Sequence, residues 1–190
     1  AGVNHNGDLD IAKELIDVAA RAGADLVKFQ TFTASRLATP LADKARYQAR
    51  NSIAGEKQLE MLRRLELSNA NHDELVAHCR NKSIGFFSTG FDIESVRFLL
   101  GLGLQRLKIP SGEITNLPYL RFIGSQGLPI IMSTGMCDMH DIAAALDVIE
   151  TAGTDRSLVT ILHCTTNYPT LMEEVNLKAM LSIAEKFGVN

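Results

Sequence analysis

Short apolar runs that keep giving way to helix-period segments constrain the fold of this chain more than any other feature of it. Ile11, Leu15, Ile16, Val18, Ala19 and Ala22 recur at helical spacing behind Asp8, a side chain suited to an N-cap, and Gly23 predicts the stop. A strand is predicted over 24–31. A polar stretch over 33–56 follows, too long for a bare connection, and reads as a functional loop or one carrying short helices. Beyond it, helices are predicted over 58–67, 73–81, 92–100, 118–125, 139–152 (capped by Asp138) and 177–187. Strands are predicted over 85–89, 106–109, 129–133 and 158–163. Strands separated by amphipathic helices imply parallel neighbours, because a parallel pair needs a crossover connection. The chain is therefore α/β, read as one domain over 1–190.

A closed barrel and an open doubly wound sheet both fit the alternation, so the strand ends must separate them. In order they read Lys28-Phe29-Gln30-Thr31, Ser88-Thr89-Gly90-Phe91, Lys108-Ile109-Pro110-Ser111-Gly112-Glu113, Ser133-Thr134-Gly135-Met136 and His163-Cys164-Thr165-Thr166-Asn167-Tyr168-Pro169. Polar residues at the C-terminal ends of many strands are what a (β/α)8 TIM barrel uses to build its site, whereas an open sheet concentrates chemistry at one switch point. A length of 190 residues falls short of the roughly 250 a barrel usually takes, so the expected fold is an incomplete barrel.

Two lysines and repeated Ser-Thr-Gly turns at helix starts suit phosphate or carboxylate, since unpaired backbone N–H groups and the helix dipole favour negative charge there. Lys28, Lys108, Ser111 and Ser133 are candidates to hold a small dianion. Taken singly, each cluster reads more readily as rim lysines and capping serines; five in register reverse that order. Lys108 could also serve as a Schiff-base lysine. Glu113, next to a glycine at a strand end, is a candidate general acid or base, or a solvated loop carboxylate. Tyr168 is either a pocket wall or a packing aromatic before Pro169. His5 and His163 have no second ligand at metal spacing, so no metal ligand is assigned; His72, His78 and His140 read as solvated or capping residues. Met132, Met136 and Met180 read as core fillers.

Composition narrows the partners. A formal net charge of −3 leaves no broad positive field, so neither nucleic acid nor an acidic membrane surface is expected as a partner. No run of about 18 apolar residues predicts a membrane span, and the opening residues do not resemble a signal peptide. Cys79, Cys137 and Cys164 are odd in number and widely spaced, and read as reduced thiols of a cytoplasmic protein.

In this order the motifs resemble the N-acetylneuraminate (sialic acid) synthases and their legionaminate-synthase relatives. They are Gly2-Val3-Asn4-His5-Asn6-Gly7, Val27-Lys28-Phe29-Gln30-Thr31, Phe87-Ser88-Thr89, Lys108 to Glu113 with Asn116-Leu117-Pro118-Tyr119, Ser133-Thr134-Gly135-Met136, and Leu162-His163-Cys164-Thr165 with Tyr168-Pro169-Thr170. Glu113-Ile114-Thr115-Asn116 and Val175 to Met180 lean toward the legionaminate branch. The resemblance implies a TIM barrel in which carbon 3 of phosphoenolpyruvate attacks the open-chain aldehyde of an N-acylated mannosamine-type sugar. Water then adds at carbon 2, and phosphate leaves by C–O cleavage. It further implies that Lys28, Thr89, Lys108, Ser111, Ser133 and Thr166 contact phosphoenolpyruvate, although the family often has Asn where Thr166 stands. Gln30, Glu113 and Tyr168 are implied to contact the sugar, with Glu113 in the acid–base role. A divalent metal, Mn2+ or Mg2+, and a homodimer are implied for the full-length parent. By the same resemblance the first strand is truncated, strands seven and eight are absent, and the metal ligands and a small antifreeze-like C-terminal domain lie outside this chain. The 190 residues alone are accordingly expected to be inactive. A Schiff-base aldolase or another phosphoenolpyruvate-dependent sugar-acid synthase on the same scaffold, and a non-catalytic anion-binding module, are the competing readings.

Overall fold

The computed structural model describes residues 1–44 and 55–189, which divide into two compact units, Ala1–Gly103 and Leu104–Asn190. In the first unit, α1 (Leu9–Arg21) starts at Asp8, whose carboxylate accepts from the amides of Asp10 and Ile11, as the sequence implied. Strand β1 (Leu26–Thr31) pairs in parallel with β2 (Gly85–Gly90), in a register that sets Lys28 opposite Phe87 and Gln30 opposite Thr89. Between the strands lie a single-turn α2 (Ala34–Leu37), α3 (Gln58–Leu65) and α4 (Asn69–Asn81); α5 (Ile93–Gly101) follows, capped by Asp92. The polar stretch does carry a short helix, and the rest of its middle, residues 45–54, lies outside the described residues.

The core of this unit is made by one face of each element: Ala12 and Ile16 of α1, Val27 and Phe29 of β1, Leu75 and Cys79 of α4, closed by Leu67 and Ile84. Burying side chains of this size contributes about 1.5–3 kcal/mol each before chain entropy is charged against it. Helix α4 begins at Asn69, four residues ahead of the position expected. Ser68 accepts from the Asn71 amide while Asn71 accepts from the Ser68 amide, a reciprocal cap that starts the helix inside a stretch that reads as loop.

The second unit holds three parallel strands in the order β3 (Leu107–Ile109), β4 (Ile130–Ser133), β5 (Val159–Leu162). Helix α6 (Leu117–Gly124) carries the crossover to β4, α7 (Met139–Ala152) the crossover to β5, and α8 (Ala179–Phe187) comes last. Helix α7 keeps the bounds and the Asp138 cap that its sequence predicts. Helices α6 and α7 touch closely at Gly124, where an added Cβ would come 2.7 Å from the Ile149 carbonyl oxygen and 2.8 Å from the Ala152 Cβ. Thr154 closes the same corner by donating to the Gly124 carbonyl at 2.6 Å. Met132 is a core residue as expected, but Met136 and Met180 are exposed: the first sits in the turn after β4 with φ +64°, the second on the outer face of α8. Parallel pairing throughout establishes the α/β class. Among the described residues no helix is long and apolar enough to cross a membrane.

Candidate functional site

Lys108, the middle residue of β3, has neighbours on every side, and only 8% of it is exposed. An ammonium buried this far needs acceptors. Its Nζ donates to the Ile109 carbonyl at 2.9 Å and to Ser133 Oγ, at the end of the adjacent β4, at 2.6 Å. Tyr119 of α6, fully buried, donates to the Lys108 carbonyl at 3.4 Å and so ties that segment of strand to the helix behind it. Just past β3, Pro110 leads into a 3-10 turn, Ser111–Glu113. Ser111 Oγ accepts from the Gly135 amide at 2.9 Å. A Cβ at Gly135 would lie 3.1 Å from Ser111 Oγ and 3.1 Å from Thr166 Cγ2, so glycine is what lets the turns after β3, β4 and β5 approach one another. The sequence-predicted Lys108, Ser111, Ser133 and Thr166 are thus linked at the C-terminal ends of three parallel strands, directly or through Gly135.

Glu113 is half-buried at the end of that 3-10 turn, and Asn116 Nδ2 donates to its Oε2 at 2.7 Å. Asn116 Oδ1 meanwhile accepts from the Tyr119 amide, so the residue that caps α6 also orients the carboxylate. Tyr168 is 68% exposed in the loop after β5. A cavity of about 480 Å3 opens among Thr134, Cys137, Met139, His163, Cys164 and Lys178, beside the N-terminus of α7. Sequence reasoning missed this cavity, since His163 and Cys137 are far apart in the chain and share no motif. Burial, together with the carboxylates of Asp141 and Asp138, pushes the Cys137 thiol up to about 11.

The first unit holds the other predicted lysine. Lys28 is half-buried on β1, 3.5 Å from Thr89 Oγ1 on β2, and burial lowers the pKa of its ammonium. Gln30 shares the face of Lys28, because strand side chains alternate. The opposite face carries a feature for which no role was anticipated. His72, expected at the surface, is 1% exposed: its Nδ1 lies 2.8 Å from the Ser68 carbonyl and its Nε2 2.8 Å from Thr31 Oγ1, which is 2.7 Å from Ser88 Oγ. Its place on one helical stripe with Leu75 and Cys79 was the signal for its burial. His5 is buried too, its Nδ1 accepting from the Gly7 amide at 3.0 Å. Burial, and secondarily His72, depresses its pKa. His78 is partly exposed and paired with Asp17, and His140 is exposed, close to what was expected of both.

Among the described residues one group offers three metal-type ligands together, Asp138, His140 and Asp141. It does not fit a catalytic Mn2+ or Mg2+. Asp138 Oδ1 accepts from the amides of His140 and Asp141, and Asp141 Oδ2 accepts from the Asp138 amide, so these carboxylates form the cap of α7. They also sit at the positive end of the helix dipole, which disfavours a cation.

Residues 15–190 match the family model described as the NeuB family. The chain is 49% identical over 189 residues to an N,N'-diacetyllegionaminic acid synthase of Legionella pneumophila, covering 98% of this chain and 53% of that protein. It is 51% identical over 190 residues to the protein of the same name from Campylobacter jejuni, covering all of this chain and 57% of that one. The chain therefore spans little more than half the length of these relatives. Among solved structures, the N-acetylneuraminic acid synthetase of Leptospira borgpetersenii, crystallised with citrate, superposes with a TM-score of 0.82 at 27% identity, covering 98% of this chain and 60% of that one.

Proposed function

Because the chain belongs to the NeuB family, we propose that the whole protein condenses phosphoenolpyruvate with an N-acylated mannosamine-type sugar to give a nonulosonic acid and phosphate. The observation that carries the reading is the set of donors at the ends of β3, β4 and β5: an ammonium, Lys108, held by Ser133, beside Ser111, the Gly135 amide and Thr166. Lys28 and Thr89 make a second lysine–hydroxyl pair at the ends of β1 and β2. Lys108, Ser111, Ser133 and Thr166 of the second unit bind the anionic groups of phosphoenolpyruvate; Lys28 and Thr89, in the first unit, are assigned contacts with the same substrate by the family resemblance alone. Identities near 50% to two legionaminic acid synthases favour a 2,4-diacetamido acceptor.

The family resemblance assigns the sugar to Glu113 and Tyr168 of the second unit and to Gln30 of the first. As carbon 3 bonds to the aldehyde carbon, the aldehyde oxygen gains a negative charge and takes a proton from Glu113, whose carboxyl Asn116 holds in one orientation. Water then adds at carbon 2 and returns one proton to Glu113; the bond from carbon 2 to the phosphate oxygen breaks, the new hydroxyl becomes the keto oxygen, and its proton leaves with the phosphate. The family resemblance brings Mn2+ or Mg2+ with it, but the described residues offer no group that fits the ion, and no step above is routed through one. The two donor contacts of Lys108 hold its nitrogen as a hydrogen-bonding cation, which supports anion binding over the Schiff-base alternative.

The reading extends to the fold, with this chain as part of the (β/α)8 barrel domain of a longer, homodimeric, cytoplasmic protein. Support comes from the edge position of β5 among the described strands and from the exposed Leu171, Met172, Leu177 and Leu181 that follow it. The test is phosphate release by the full-length protein given phosphoenolpyruvate, Mn2+ and either N-acetylmannosamine or its 2,4-diacetamido-trideoxy analogue. Release with the analogue, lost in Lys108→Ala, is the expected result; no release with either sugar would overturn the reading.

A further inference from the structure

The hydrogen bonds behind β1 and β2 have a definite direction. The Ser68 carbonyl can only accept, so His72 Nδ1 carries the ring proton that reaches it at 2.8 Å. Burial lowers the pKa of this imidazole. In the neutral ring Nε2 is bare and accepts the Thr31 hydroxyl proton. That leaves the Thr31 oxygen to accept from Ser88. The order is Ser88 to Thr31 to His72 to the Ser68 carbonyl at the cap of α4, with the three side chains buried.

Thr31 and Ser88 are the immediate chain neighbours of Gln30 and Thr89, and the parallel register sets Gln30 opposite Thr89. Side chains alternate along a strand, so tying down Thr31 and Ser88 on the helix side fixes what the other side presents. The other side is the row Lys28, Gln30 and Thr89. Aromatic edges hold the ring from two further directions: Phe98 of α5 at 5.2 Å and Phe86 of β2 at 6.3 Å between centroids. A hydroxyl on each strand, joined through one imidazole to a helix cap, is more than packing requires at this spot, where an apolar side chain would fill the space without needing partners.

We propose that His72 is a positioning residue: acting through Thr31 and Ser88 from behind the sheet, it sets the strand ends that present Lys28, Gln30 and Thr89 to substrate. The assignment rests on the proposed phosphoenolpyruvate chemistry for what those residues hold.

The test uses the full-length protein with His72→Phe, which fills the space but breaks the chain, and His72→Gln, whose Oε1 can still accept from Thr31. Three readouts are taken: phosphoenolpyruvate affinity by calorimetry, the split between KM and kcat, and amide hydrogen exchange at Gln30, Thr31, Ser88 and Thr89. The expected result is a five- to tenfold weaker Kd and higher KM for His72→Phe, with exchange at those four amides at least tenfold faster. The Gln variant should stay within twofold of the parent throughout. A Phe variant that matches the parent in affinity and KM would overturn the proposal, as would a Gln variant as impaired as Phe. If the parent itself fails to bind phosphoenolpyruvate, the substrate reading falls, and the exchange rates decide alone: equal rates in the two variants sink the clamp, and faster exchange confined to Phe supports it. Should the Phe variant not fold, ring 15N shifts of the parent still decide. Protonation on Nε2 instead of Nδ1 would reverse the chain and refute it.

Discussion

Removing the Ser133 hydroxyl should do more harm than removing the whole Lys108–Ser133 pair. In Ser133→Ala the Lys108 ammonium, 8% exposed, loses the 2.6 Å acceptor and keeps the Ile109 carbonyl at 2.9 Å. A hydrogen bond to a charged group is worth about 1.5–3 kcal/mol net, and a buried cation left short of an acceptor forfeits that range unless water reaches it. Lys108→Met keeps most of the side-chain volume and removes the charge, leaving two neutral acceptors, the half-buried Ser133 hydroxyl and the Ile109 carbonyl, without that donor, for about 1 kcal/mol. The double variant lacks both ends of the contact and should be no less stable than Lys108→Met alone. The expected coupling is therefore about 1.5–3 kcal/mol, read from urea unfolding of the parent, both single variants and the double. Additivity within about 0.5 kcal/mol would show that the two side chains do not depend on one another, and the site argument built on their contact would lose its support.

Gly124→Ala drives a methyl to 2.7 Å from a backbone oxygen at the α6–α7 contact and should destabilise by about 1–3 kcal/mol, seen as a lower urea midpoint with an unchanged slope. Asp138→Ala removes the acceptor of two amides at the start of α7 and should lower stability by about 1 kcal/mol, while Asp138→Asn recovers most of it in the same unfolding assay. His5 and His72 both have pKa values lowered below the ordinary 6.5, so unfolding takes up protons, and stability falls as pH drops below about 6.5. Melting temperature against pH should show that decline, and His72→Gln should make it shallower. Burial pushes the Cys79 thiol up to about 11, against an ordinary value of 9.0, so alkylation at pH 8 followed by peptide mapping should find it modified about a hundredfold more slowly than an unperturbed thiol.

Two aspartates that act on their own segments were legible in the sequence. Asp8 and Asp138 cap helices within three residues of themselves, and strand ends rich in Lys, Ser and Thr mark the C-terminal ends of their strands. What escaped was set by partners distant in the chain. The burial of His72 follows from Thr31 and Ser88, on two strands that its own helix has to cover, and nothing adjacent to it announces them. Met136 and Met180 were assigned by residue type to a core that the local backbone and the helix face deny them. The start of α4 was lost for a different reason: a serine–asparagine cap inside Ser-Asn-Ala-Asn looks like loop composition until both amides are counted as satisfied. Lys108, Ser111 and Ser133 were legible as types, while the Gly135 amide, which joins the turns, has no side chain to be seen by.

The two faces of β1 also limit how a gene encoding this fold can drift. One row carries Lys28 and Gln30 and the other carries Phe29 and Thr31, with a parallel partner strand matched to both. Gain or loss of one codon within β1 or β2 would exchange the rows downstream of it, turning Lys28 and Gln30 into the helix-packed layer and exposing the core phenylalanine. Drift in such a lineage is thus confined to substitutions within the strands and to length changes in the turns after them.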